Sequence, residues 1–179
     1  MTDPAFVRAA TAADAAQLEE IVNAAYAPYI SRIGRRPAPM EVDYRTLVAA
    51  TNHVWVLIDD SELVGVIITV AESDHLLIEN VAIAPHVQGR GHGKTLLAHA
   101  ERQAYELRLP QIRLYTNAAM TENLAFYPRM GYTETARRSQ DGFDRVFFVK
   151  NVHAEVPASE HVNAVTEPPP DHSAADDGA

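Results

Sequence analysis

Apolar residues over the first 150 positions keep two periods, and the switches between them mark out the elements. Residues 6–9 read as a short strand. Ala15, Leu18, Ile21, Val22 and Ala25 then recur at spacings of three and four, which places them on one helix face, with Thr11 or Asp14 as the cap. Pro28, Gly34, Pro37 and Pro39 break this period and predict a loop, after which Asp43 caps a short helix carrying Leu47 and Val48. Residues 54–58 and 63–71 are β-branched runs joined by Asp59-Asp60-Ser61-Glu62, a hairpin pattern. Residues 75–84 form another strand, closed by Pro85. A helical period with Leu96, Leu97, Ala100, Ala104 and Leu107 follows from about Gly91 and ends before Pro110. Residues 112–116 predict a strand and 121–130 a helix stopped by Gly131. Residues 132–136 and 143–149 pair across Asp141-Gly142, a strong hairpin signal. The order is β-α-α-β-β-β-α-β-α-β-β, without internal repeats.

The most informative junction is Gln88-Gly89-Arg90-Gly91-His92-Gly93-Lys94-Thr95, between a strand and the longest helix. Glycines let the backbone approach a ligand closely, and the first N–H groups of a helix have no partners within it. Those donors and the positive end of the helix dipole make an anion site. Spacing excludes two familiar phosphate loops. A Walker A loop needs a glycine where Gln88 stands, and Gly89, Gly91 and Gly93 read G-x-G-x-G rather than the dinucleotide pattern G-x-G-x-x-G.

Composition narrows the classes further. The chain has 179 residues, 47% of them hydrophobic, enough for one domain with its own core. It has no cysteine, so disulfides, thiolate metal sites and a cysteine nucleophile are excluded. Five of its histidines (His53, His75, His86, His92 and His99) match no metal-ligand spacing, and no metal is expected. No apolar run reaches the roughly 20 residues of a membrane span, and Met1-Thr2-Asp3-Pro4 carries no basic-plus-apolar signal pattern, so a cytoplasmic protein without a membrane partner is expected. The formal charge of −9 argues against nucleic acid as a partner. Six acids and no Lys or Arg fall in residues 151–179, with Pro168-Pro169-Pro170. That stretch reads as a solvated, disordered tail behind a domain of residues 1–150.

Gln88, Gly91 and Gly93 fit Q-x-x-G-x-G, which resembles the pyrophosphate-binding signature of the GNAT family of N-acetyltransferases. A second stretch carries the same resemblance. In that family the helix after the fifth strand commonly reads A-x-x-F-Y-x-x-x-G-[FY], and Phe126, Tyr127, Gly131 and Tyr132 match it. Asn123 stands where alanine is common, and Met120 replaces the usual asparagine seven residues before the tyrosine; Asn117 and Asn123 are both near enough to substitute for it. The element order is also the family's, over residues 5–150.

The resemblance implies an α/β (α+β) fold: a mixed central sheet of about seven strands, splayed between the fourth and fifth, with about four helices. It implies acetyl-CoA as donor, its pyrophosphate wrapped by Gln88, Gly89, Arg90, Gly91, His92, Gly93, Lys94 and Thr95. Its pantetheine arm would lie along Val81, Ala82 and Ile83, with Asn117 or Asn123 adding a contact. Tyr127 falls where many GNAT enzymes place the acid that protonates the leaving thiolate; a tyrosine packed for structure is the alternative. Glu79 shares a strand face with Val81, and partial burial among Leu76, Leu77 and Ile78 would raise its pKa toward that of a useful base. A salt-bridged edge carboxylate is the other reading of Glu79. The acceptor, a small-molecule or peptide amine, is expected to meet Tyr26, Tyr29, Arg32 and Arg35, where an arginine could clamp a carboxylate or phosphate. A monomer or homodimer is expected. An acyl-CoA sensor without turnover would share the donor features, and a nucleotide hydrolase is disfavoured by the loop spacing.

Overall fold

The structure is a computed structural model that describes residues 4–152. The proposed acidic tail therefore lies outside the described residues. Seven strands form one sheet in the order β1-β2-β3-β4-β5-β7-β6. They are β1 (Phe6–Ala9), β2 (Val54–Asp59), β3 (Glu62–Ala71), β4 (Leu76–Ile83), β5 (Gln111–Asn117), β6 (Thr133–Gln140) and β7 (Phe143–Asn151). The helices are α1 (Ala15–Tyr26), α2 (Ile30–Ile33), α3 (Tyr44–Ala50), α4 (His92–Glu106) and α5 (Thr121–Arg129). The last strand reaches one residue past the expected boundary at 150, and Val152 N–H donates to Pro110 O at 2.9 Å.

The expected helices form for the expected reasons. Leu18, Ile21 and Val22 of α1 are buried, and the Asp14 carboxylate accepts from Thr11 N–H at 2.6 Å and from the Thr11 hydroxyl at 2.9 Å. Asp43 caps α3 by accepting from Thr46 N–H at 3.1 Å. Both hairpins turn on two residues with positive φ, Asp60 and Ser61 at 47° and 66°, Asp141 and Gly142 at 55° and 76°. This is the left-handed geometry that matches strand twist. The segment read as a loop after α1 is instead largely helical. A 3-10 turn (Ala27–Tyr29), α2 and another 3-10 turn (Ala38–Glu41) follow one another. Prolines at the first positions of a helical turn lack only an N–H that would be unpaired there. Pro28 and Pro39 sit at such positions, so they start turns rather than end them.

Helices α1 and α3 cover one sheet face, where Asn80 meets Tyr44, and α4 covers the other, where Leu96 and Ile83 crowd Gly65. All strand pairs are antiparallel except β4 and β5. That parallel pairing holds for three positions only, Leu76 with Ile112, Leu77 with Arg113 and Ile78 with Leu114. Beyond Ile78 the strands part, leaving one edge of residues 79–83 without a strand partner. The parting coincides with a bulge: Ile68 pairs with Asn80 and Thr69 with Ile78, so Glu79 has no opposite residue. Bulges bend the strand that carries them. The sheet therefore opens where β4 bends.

Candidate active site

Two cavities meet in this opening. The outer one, of about 830 Å³, runs from the 87–94 loop past Val81, Ala82 and Ile83 to α5. The inner one, of about 80 Å³, lies between β4, β5 and the 33–39 segment and reaches the β6–β7 hairpin. Tyr26, Val81, Met120, Asn123 and Tyr127 line both.

The outer cavity begins at the glycine loop. Gly89 and Gly91 have φ of 83° and 91°, and a Cβ added to either would meet nothing within 4 Å. Left-handed backbone there thus serves an open concavity rather than a packed turn. Among the described residues, the N–H groups of residues 89–94 have no backbone acceptor; the first to find one is Thr95, to Gly91 O at 3.2 Å. Consecutive unpaired amides at the start of the 15-residue helix α4 are a donor set that could hold an anion. Gly93 has another reason, since its Cβ would come within 3.2 Å of the Phe126 ring.

The loop side chains divide. Lys94 lines the cavity; Arg90 is exposed and does not. The Gln88 amide donates to Ile83 O at 3.0 Å, tying the loop to the end of β4. The Thr95 hydroxyl turns back toward Gly91 O at 3.5 Å, so its side chain belongs to the helix start. His92 was expected among the donor-binding residues, but its imidazole is buried with Nε2 3.3 Å from Asp59. Only its backbone remains for an anion, because helix periodicity turns the first side chain of α4 toward β2.

Along β4 the carbonyls of Val81 and Ile83 face the open edge, since the Tyr26 hydroxyl (3.5 Å) and the Gln88 amide (3.0 Å) reach them. An extended ligand can replace the missing strand there. Tyr127 stands at the junction, 8% exposed, its ring against Phe126, Tyr132 and Phe148. Burial, with a smaller effect from Tyr29, pushes its pKa up to about 12. The Asn123 amide donates to the Thr116 hydroxyl at 3.0 Å, and Met120 Sδ accepts from that hydroxyl at 3.4 Å. Asn123 thus lines both cavities, whereas Asn117 lines the inner one and caps its own turn by accepting from Ala119 N–H at 2.9 Å.

Three expectations change. Glu79 lines the inner cavity but is exposed; as the bulged residue it escapes the apolar neighbours that its sequence position suggests. Arg32 and Tyr29 border the outer cavity, and Arg32 is engaged by Glu122 at 2.8 Å. Arg35 borders neither and lies over the Phe143 ring at 4.2 Å, clasping the hairpin to the segment after α2. Of the four residues proposed for the acceptor, only Tyr26 lines the inner cavity. Its hydroxyl donates to Asn80 Oδ1 at 2.7 Å, the Asn80 amide donates to the Tyr44 hydroxyl at 3.2 Å, and Tyr44 donates to Pro39 O at 2.9 Å. Two of the inner cavity's polar residues, Asn80 and Arg145, were not found from sequence. An asparagine amid the apolar run of β4 was the available signal for the first.

Comparison with known proteins agrees with this geometry. Residues 50–134 match the family model of the acetyltransferase (GNAT) domain, a span containing β4, the glycine loop and α5. The chain is 33% identical over 89 residues to the uncharacterized protein YxbD of Bacillus subtilis, a match that takes in 45% of this chain and 55% of that one. It thus spans about half the length of this curated relative. Among solved structures, the Paia N-acetyltransferase of Thermoplasma acidophilum in complex with coenzyme A is similar with a TM-score of 0.69 and 18% identity, over 83% of this chain and 99% of that one. The yncA putative acetyltransferase of Salmonella typhimurium with acetyl-CoA is similar with a TM-score of 0.67 and 19% identity, over 86% and 97%. Those two show the fold alone. Residues 50–134 thus match the GNAT acetyltransferase domain in sequence, and the strands and helices around them take the fold of the solved acetyltransferases.

Proposed function

We propose that the protein is an N-acetyltransferase that moves an acetyl group from acetyl-CoA to a primary amine by direct transfer in a ternary complex. The observation that carries this reading is the continuity of the outer cavity, from six unpaired amides, along an unpaired strand edge, to a buried tyrosine. Each part suits one part of acetyl-CoA: the amides at 89–94 and Lys94 its pyrophosphate, the carbonyls of Val81 and Ile83 its extended arm, and Asn123 the end near the junction. When bound, acetyl-CoA supplies an acetyl group activated as a thioester.

Glu79, open to water at the inner cavity, takes the proton from the acceptor's ammonium, directly or through a water molecule. Tyr127 holds its proton at the junction. Full transfer of that proton to a thiolate of ordinary affinity, near 8.5, is uphill by roughly 5 kcal/mol at 1.36 kcal/mol per unit. The hydroxyl therefore acts first as a hydrogen-bond donor to developing charge, which a protonated, water-poor phenol does well.

Thiol release from acetyl-CoA over a panel of small amines and N-terminal peptides tests the reading. Turnover of at least one class supports it, with kcat falling about 10- to 100-fold in Tyr127→Phe. Full kcat in Glu79→Gln from pH 6 to 9 would remove that residue from the mechanism. Stabilisation by coenzyme A without turnover of any amine would leave an acyl-CoA sensor, and stabilisation by ATP alone would overturn the donor assignment.

A further inference from the structure

Arg145 is a shielded charge that the transfer chemistry above leaves without a task. It stands on β7 opposite Asn117 of β5 and opposite Arg138 of β6, and it lines the inner cavity. Its side chain is 12% exposed. The guanidinium lies over the Tyr115 ring, 4.3 Å from the centroid. Its polar contact among the described residues is with Asp141 at 3.2 Å, a carboxylate on the hairpin turn that is itself 68% exposed. An exposed partner of that kind is screened by water and contributes little. A guanidinium has five N–H donors, and shielding them from water is costly unless acceptors replace the water. Arg138 adds to the cost, because like charges directly opposite on neighbouring strands repel. An anion entering the inner cavity relieves both.

Among the described residues, the inner cavity's only other charged lining residue is Glu79. A carboxylate at the strand parting and a guanidinium toward the hairpin give the cavity two poles, which match an amine and a carboxylate carried by one molecule. Its volume, about 80 Å³, suits a small compound rather than a folded protein surface. Planar, two-pronged recognition is what arginine offers a carboxylate.

Resting on the acetyl-transfer reading, we infer that the acceptor is a small amino-acid-like molecule, its carboxylate bound by Arg145 and its amine presented between Glu79 and Tyr127. Arg145 is then a specificity-determining residue.

The test measures thiol release by the full chain with acetyl-CoA and the common amino acids, each beside its carboxamide. For the best acceptor the acid exceeds the amide about 20-fold or more in kcat/KM, mostly through KM. Arg145→Gln brings the two within about threefold of each other, and Arg145→Lys restores part of the difference. Coenzyme A affinity within about threefold of wild type certifies that both variants keep the folded site. An amide as good as its acid, a preference for a phosphate-bearing amine over its carboxylate twin, or an undiminished preference in Arg145→Gln overturns the assignment. If coenzyme A binds and no amine is turned over, acetyl transfer itself fails as a reading, and calorimetry of the acids in the presence of coenzyme A decides the Arg145 site. Binding lost in Arg145→Gln upholds it; equal binding to both proteins, or none to either, overturns it.

Discussion

Lowering the pH from 7 to 5 should destabilise this protein through one histidine. His99 on α4 stacks on Trp55 at 4.6 Å between ring centroids, and its Nδ1 lies 3.1 Å from an Arg102 nitrogen. Its Nε2 is buried with no partner among the described residues. Burial first, and the Arg102 charge second, lower its pKa from 6.5 to about 4. Between those values the unfolded chain binds a proton that the folded chain refuses, so stability falls as pH falls. From pH 7 to 5 the loss works out at about 2 kcal/mol, and at about 3 kcal/mol once the pH is below 4. Carboxylates whose pKa is lowered, such as Asp14 beside Arg8, begin from 3.8 and contribute almost nothing above pH 5. Urea unfolding at the two pH values, followed by fluorescence of the chain's one tryptophan, should show the midpoint falling by about 1 M. His99→Phe keeps a ring against Trp55 and should flatten the dependence. An unchanged wild-type midpoint, an equal fall in His99→Phe, or a His99 titration near 6.5 by NMR refutes the reasoning.

Other perturbations follow from the same geometry. Asn80→Ala removes the centre of the Tyr26–Asn80–Tyr44 chain and leaves two phenols short of a partner, so denaturant unfolding should show a loss of about 2–3 kcal/mol. Gly91→Ala places a side chain at φ 91° with nothing to clash against, so the stability cost should be only about 1–2 kcal/mol. Because its Cβ enters the concavity of the loop, coenzyme A should bind about tenfold more weakly by calorimetry. Arg35→Ala frees the hairpin from the segment after α2 and should raise the acceptor KM while leaving coenzyme A affinity within about threefold, read from steady-state kinetics and calorimetry.

Much of this molecule could be read in one dimension because the signals are local. Hairpin turns need two left-handed residues, and Asp141-Gly142 announces one. The α1 and α4 periods, the caps at Thr11, Asp14 and Asp43, and the glycines before α4 depend on residues within a few positions of each other. Gly93 and Phe126 belong to two separate motifs, and that a Cβ on Gly93 would come within 3.2 Å of the Phe126 ring appears only in space. What the sequence could not rank was the partner of each polar side chain. Arg32 and Arg35 looked like an acceptor clamp, yet Glu122, 90 positions away, takes the first and Phe143 the second. His92 lay inside the motif, yet its ring is buried with Nε2 3.3 Å from Asp59. Glu79 looked buried by its neighbours, and a register shift against β3 exposes it. Sequence alone determined most of the elements, the glycine loop before α4 and the resemblance to the GNAT domain, because periodicity and turn chemistry act over a few residues. Tertiary structure decided where the strands part, which histidine loses its proton and that Arg145 faces the inner cavity, because burial and charge pairing join residues that the chain keeps far apart.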